Sequence, residues 1–98
     1  MNPCIAQLLS NVATQVTGAA VNWQGGIAAF IVNGTMGGAT VTLQYMDSSG
    51  VWSAFSAATT VTAAGTVTPV YAPPGSYRAV VTVANPTALY AALEAVDN

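Results

Sequence analysis

Charge is the scarcest property of this 98-residue chain. It has one Arg, three acidic residues, no Lys and no His, so 4% of its side chains are charged. Soluble domains carry roughly 25%. A protein with a single cation cannot neutralise a run of phosphates, which excludes nucleic acid as an expected partner. An anionic membrane surface is excluded on the same count. No apolar run is long enough for a spanning helix, which needs about 18 residues or more. The first ten residues hold no basic residue, so no secretory leader is expected.

Chemistry is scarce for the same reason. Six serines are present, but no His or Lys stands ready to take a proton from one. Cys4 is the only cysteine, which rules out an intrachain disulfide and reads as a small packing residue. Metal sites draw on His, Cys or clustered carboxylates, and Asp47, Glu94 and Asp97 are scattered. Asp47 opens a turn, a routine place for Asp. Gly34-Thr35-Met36-Gly37-Gly38 lacks the Lys and the following helix of a phosphate loop. The chain is therefore expected not to be an enzyme and to hold no cofactor or metal.

What is present is apolar residues, at 53%, with Thr and Ala where charges would stand. A surface this neutral resists association poorly, which points to a surface covered in an assembly. From residue 20 onward the hydrophobic period is two. Ala39, Val41, Leu43 and Tyr45 alternate with Thr40, Thr42 and Gln44, the pattern of a half-buried strand. Val21 to Gln24 alternates over a shorter run. Ile27 to Val32 is apolar on both faces and reads as a central strand covered on both sides. Tyr77 to Val83 is similar, and Val51 to Phe55, Thr59 to Thr62 and Thr66 to Tyr71 are shorter candidates. Ala88 to Val96 suits a helix by propensity and a last strand by its Leu89, Ala91, Leu93, Ala95 alternation. Turn residues separate these runs, and Asp47-Ser48-Ser49-Gly50 is the strongest hairpin signal.

The expected fold is all-β. It is a compact antiparallel β-sandwich or small barrel, jelly-roll or Ig-like, of about seven or eight short strands. Residues 1–20 form an N-terminal arm or short helix, and residues 21–98 the sandwich. Asn2-Pro3 suits a helix start, and Ile5, Leu8, Leu9, Val12 and Val16 recur at helical spacing. Only Pro69 guards a candidate strand, and edges without guards suit a neighbour that covers them. Interface candidates are Ile5, Leu8 and Leu9 in the N-terminal segment, Trp52, and Arg78. Arg78 reads equally as a solvated residue or as a bridge to a carboxylate. Trp52 and Phe55 lie on opposite strand faces, so one of them points outward.

The stretch from Val21 to the C-terminus resembles small proteins of tailed-bacteriophage virions. The resemblance rests on Asn22-Trp23-Gln24-Gly25-Gly26, on residues 34–45, on Asp47-Ser48-Ser49-Gly50-Val51-Trp52, and on Pro73-Pro74-Gly75-Ser76-Tyr77-Arg78. It implies a capsid decoration or cement protein on the virion's capsid surface. Its partners would be the major capsid protein and other copies of itself, with a trimer favoured. A carbohydrate-binding or adhesion module is one alternative. A neck, tail or head-fibre subunit is another.

Overall fold

A computed structural model describes residues 5–95. Cys4, Asp97 and the Asn2-Pro3 helix start lie outside the described residues. Within them the period of two prevails, and ten strands form. They are β1 (Ile5–Val12), β2 (Val16–Thr17), β3 (Val21–Trp23), β4 (Gly26–Thr35), β5 (Thr40–Met46), β6 (Trp52–Ala54), β7 (Thr60–Val61), β8 (Gly65–Ala72), β9 (Gly75–Thr82) and β10 (Thr87–Ala95). The first sheet has the order β1-β10-β4-β8. The second has β9 and β5 at its centre, β2 and β3 along one edge, and β6 and β7 along the other.

The short edge strands are fragments of longer ones. Gly18 N donates to Ala79 O at 2.8 Å and carries the β2 pairing on to β3. Leu43 N donates to Thr59 O and Phe55 N to Leu43 O, which link β6 to β7 along β5. Counted this way there are eight strands, four in each sheet. They pair as nested hairpins around one turn. Innermost, β5 pairs with β6 and β7; then β4 pairs with β8, β2 and β3 with β9, and β1 with β10. All of these pairs are antiparallel, and successive shells alternate between the sheets. That is the topology of a jelly roll. Its tip is the Asp47–Gly50 turn. There the Asp47 carboxylate accepts hydrogen bonds from Ser49 N, Ser49 Oγ and Val51 N. An Asp that closes its own turn in this way explains why the tip forms here.

The core lies between the sheets. Leu8, Phe30, Leu89 and Leu93 face inward from the first sheet, and Val41, Leu43, Tyr77 and Val81 from the second. At one end Tyr45, Phe55 and Tyr77 pack ring to ring, with centroids 4.9–6.2 Å apart. Tyr77 Oη donates to Pro73 O at 2.7 Å. Its phenol is pushed above its ordinary pKa by burial first and by the Tyr45 hydroxyl second.

Four β-bulges interrupt the first sheet. Between Gln7↔Ala92 and Leu9↔Ala91, β1 advances two residues while β10 advances one. This bulge lets the consecutive Leu8 and Leu9 both reach the core, each 4% exposed. Asn11 (φ 51°) and Ala88 (φ 48°) sit at two more bulges, and β8 bulges near Pro69. Gly34 is required where it stands. Its φ is +117°, and a Cβ there would come within 2.3 Å of Ala88 O.

Three expectations change. Residues 5–12 are neither a helix nor a separate arm; they are an edge strand whose pairing with β10 buries Ala6, Leu8 and Leu9. The division at residue 20 dissolves with them, because one core takes side chains from both sides of it. Strand β9 ends at Thr82, and Val83 is turned out to solvent, 73% exposed.

Candidate functional site

The two outer faces of the roll differ in chemistry. On β4 the inward residues Ala28, Phe30 and Val32 are at most 2% exposed. The outward residues Ile27 and Ile31 are only partly buried, and no element of the described chain lies over them. The expectation that β4 is covered on both sides therefore fails for the isolated chain. Its outer apolar row is left for something else.

The sheet register extends that row into a face. Ile31 stands opposite Ala92, and Ala92 opposite Gln7. Ile27 stands opposite Tyr71, and Asn33 opposite Tyr90. Tyr71 is 71% exposed and Tyr90 41%. At one side of the face a shallow open depression of about 320 Å³ is lined by Gln7, Ile31, Asn33, Tyr90, Ala92 and Glu94. Glu94 is the one charge on this face among the described residues.

The outer face of the second sheet carries Thr17, Thr40, Thr42, Thr60 and Val80, with Gln44, Arg78 and Trp52 toward one end. Gln44 and Arg78 are cross-strand partners, and Arg78 Nε donates to Gln44 Oε1 at 2.7 Å. The Arg78 guanidinium lies 4.3 Å from the Trp52 ring centroid, a cation–π stack. Two of the residues singled out from sequence are thus brought together. Of the pair Trp52 and Phe55, Trp52 is the outward one, and Phe55 packs against Tyr45 and Tyr77.

The other interface candidates are placed differently. Leu8 and Leu9 belong to the core and cannot anchor a neighbour without opening the sandwich. Ile5 opens β1 opposite Glu94. Asp47 is held by its own turn and is no partner for Arg78; the Ser49 hydroxyl leads the hydrogen bonds that lower its carboxyl pKa. Among the described residues no three of His, Cys, Asp and Glu come together.

The strand edges are protected by means other than Lys. The outer strands of the second sheet are broken into short pieces, β1 is bulged twice, and β8 carries Pro69 at its bulge. The faces, more than the edges, are the open surface. Sequence reading missed Tyr90, Ile31 and Glu94 as a group. The two-sided apolarity of β4 was the available signal. Joining it to Tyr90 and Gln7 required the strand order.

The fold and its faces define an eight-stranded jelly roll with one apolar and one hydroxyl-rich outer face. Compared with known proteins, the chain matches no family model, no curated protein and no solved structure.

Proposed function

We propose that this chain is a structural, non-catalytic subunit of a tailed-phage virion, of the capsid decoration or cement type. It acts by seating the outer face of its first sheet on neighbouring protein. The observation that carries this reading is the uncovered apolar row of β4, continued by Ala92, Tyr90 and Tyr71. Among the described residues Glu94 is the only charge on that face, and its other polar members, such as Gln7 and Asn33, are neutral. The roll measures 33 × 33 × 21 Å, so a broad face offers on the order of 800 Å² per partner, the size of a standard interface. The jelly roll recurs in viral capsid proteins, which suits the reading, although a fold by itself does not assign a function. The phage context rests on the sequence resemblance.

The test is co-sedimentation of the purified chain with heads of the phage that encodes it. The chain should saturate assembled shells, ignore free capsid subunits and raise the temperature at which shells break, because it binds only the assembled lattice. Absence from the shell fraction defeats the proposal. One second reading has an observation of its own. Tyr90 beside Gln7, Asn33 and Glu94 in a shallow depression suits a sugar ring stacked on an aromatic. Glycan-array binding abolished by Tyr90→Ala would favour that module over the shell subunit.

A further inference from the structure

The fold places the chain's only Lys or Arg on one outer face and, among the described residues, a single acid on the other. Arg78 projects from β9 on the second sheet, and Glu94 from β10 on the first. The guanidinium is fixed on two sides. Gln44 takes Nε, and the Trp52 ring covers one flat face. Nη1 and Nη2, the pair that grips a carboxylate bidentately, have no hydrogen-bond acceptor among the described residues. A fork already held in place loses little freedom when it binds. Glu94 stands in register with Ala29 on β4 and Ile5 on β1. Its own copy can offer it no Lys or Arg, because Arg78 lies across the thickness of the roll.

We infer that copies of this chain assemble head to tail. The first sheet's outer face of one copy lies on the second sheet's outer face of the next, and Glu94 of one takes the open fork of Arg78 of the other. This rests on the reading of the β4 face as an assembly surface and names its occupant as a second copy. Charge decides the geometry. A two-fold contact between two first sheets encloses two Glu94 side chains with no Lys or Arg to meet them. A two-fold contact between two second sheets encloses two Arg78 side chains, and the acid nearest that end, Asp47, is bound into its own turn. Buried charges left unpaired are strongly disfavoured. Only the head-to-tail contact pairs them, and the apolar face then meets a neutral face of Thr, Val and Ala. Such a contact leaves one free face of each kind at the ends. Assembly therefore proceeds past the dimer, into a ring if the rotation closes and a stack if it does not.

Sedimentation velocity on the full chain tests this. The wild type should form species larger than a dimer. Arg78→Glu and Glu94→Arg should each weaken self-association about a hundredfold, since like charges then meet at the joint. The double variant should recover assembly, and so should a 1:1 mixture of the two single variants, because both restore opposite charges. Recovery also shows that the variants fold. Should a charge reversal fail to fold, Glu94→Gln carries the test: it should weaken association while the melting temperature of the monomer stays near wild type. A wild type that stays monomeric at all concentrations, or charge variants that assemble as the wild type does, overturns the inference. The decoration reading fails separately. A monomeric wild type that still binds heads leaves it standing, whereas an assembling wild type that ignores heads removes it.

Discussion

Phe30 and Ile31 are neighbours on β4, and the structure assigns them opposite fates. Phe30 is fully buried between the sheets, and its truncation to Ala should cost about 3–5 kcal/mol. A domain of this size holds about 5–15 kcal/mol in all, so Phe30→Ala should remove much of it. At about 4–8 °C per kcal/mol, its melting temperature should fall on the order of 20 °C. Ile31 points to the uncovered face, where β-branched Thr keeps the strand preference and gains contact with water. Ile31→Thr should therefore cost only about 1 kcal/mol, a drop of about 5 °C. Its effect on assembly should be larger. A truncated anchor near the middle of an interface weakens association about tenfold or more. Urea unfolding and thermal melts read the first quantity, and sedimentation at several concentrations reads the second. If Ile31→Thr unfolds as easily as Phe30→Ala, the outer face is part of the core. If it leaves both folding and association untouched, the face does nothing, and the reasoning about β4 is refuted.

Other consequences follow from single contacts. Trp52→Ala should cost about 1–2 kcal/mol, because the ring stacks on Arg78 at the surface and is outside the core. In the unassembled chain, at low concentration, acrylamide should quench Trp52 and spare Trp23, which is 3% exposed. The Asp47 carboxyl has a folded pKa below its ordinary 3.8. Its contribution to stability is therefore present above that value and lost as pH falls through the folded value. The urea midpoints of wild type and Asp47→Asn should differ at neutral pH and converge in acid. Tyr77 has the opposite sign. Its folded pKa lies above the ordinary 10.0, so its stabilisation holds below pH 10 and fades as pH rises beyond it. Tyr77→Phe should cost about 1 kcal/mol at neutral pH through the lost bond to Pro73 O. The same variant should lose part of the alkaline destabilisation expected of the wild type.

Much of the roll was legible in the sequence because period-two alternation is a local signal. The alternation of Leu89, Ala91, Leu93 and Ala95 competed with helix propensity and left β10 open between strand and helix, whereas the Asp47–Gly50 turn that became the tip was readable from its residues. Ile5 to Val12 was not. Its bulges place Leu8 and Leu9 on one side, and that breaks the alternation and imitates helical spacing. Strand order was beyond reach too, because the pairing of β1 with β10 joins the two ends of the chain. The site followed the same division. The outward place of one of Trp52 and Phe55 was legible. The stack of Arg78 on Trp52, and the separation of Arg78 and Glu94 to opposite faces, needed cross-strand register. The apolar outer side of β4 was visible as residues and misread as covered, because sequence does not say whether the cover comes from the same chain.

A cryo-electron map of the particle that contains this chain decides whether the outer face of β4 is an interface. The map should show jelly-roll density whose first sheet lies against neighbouring protein, with Ile27, Ile31 and Tyr90 out of solvent. Density in which that face is open to solvent, with the subunit held by its turns alone, would contradict it.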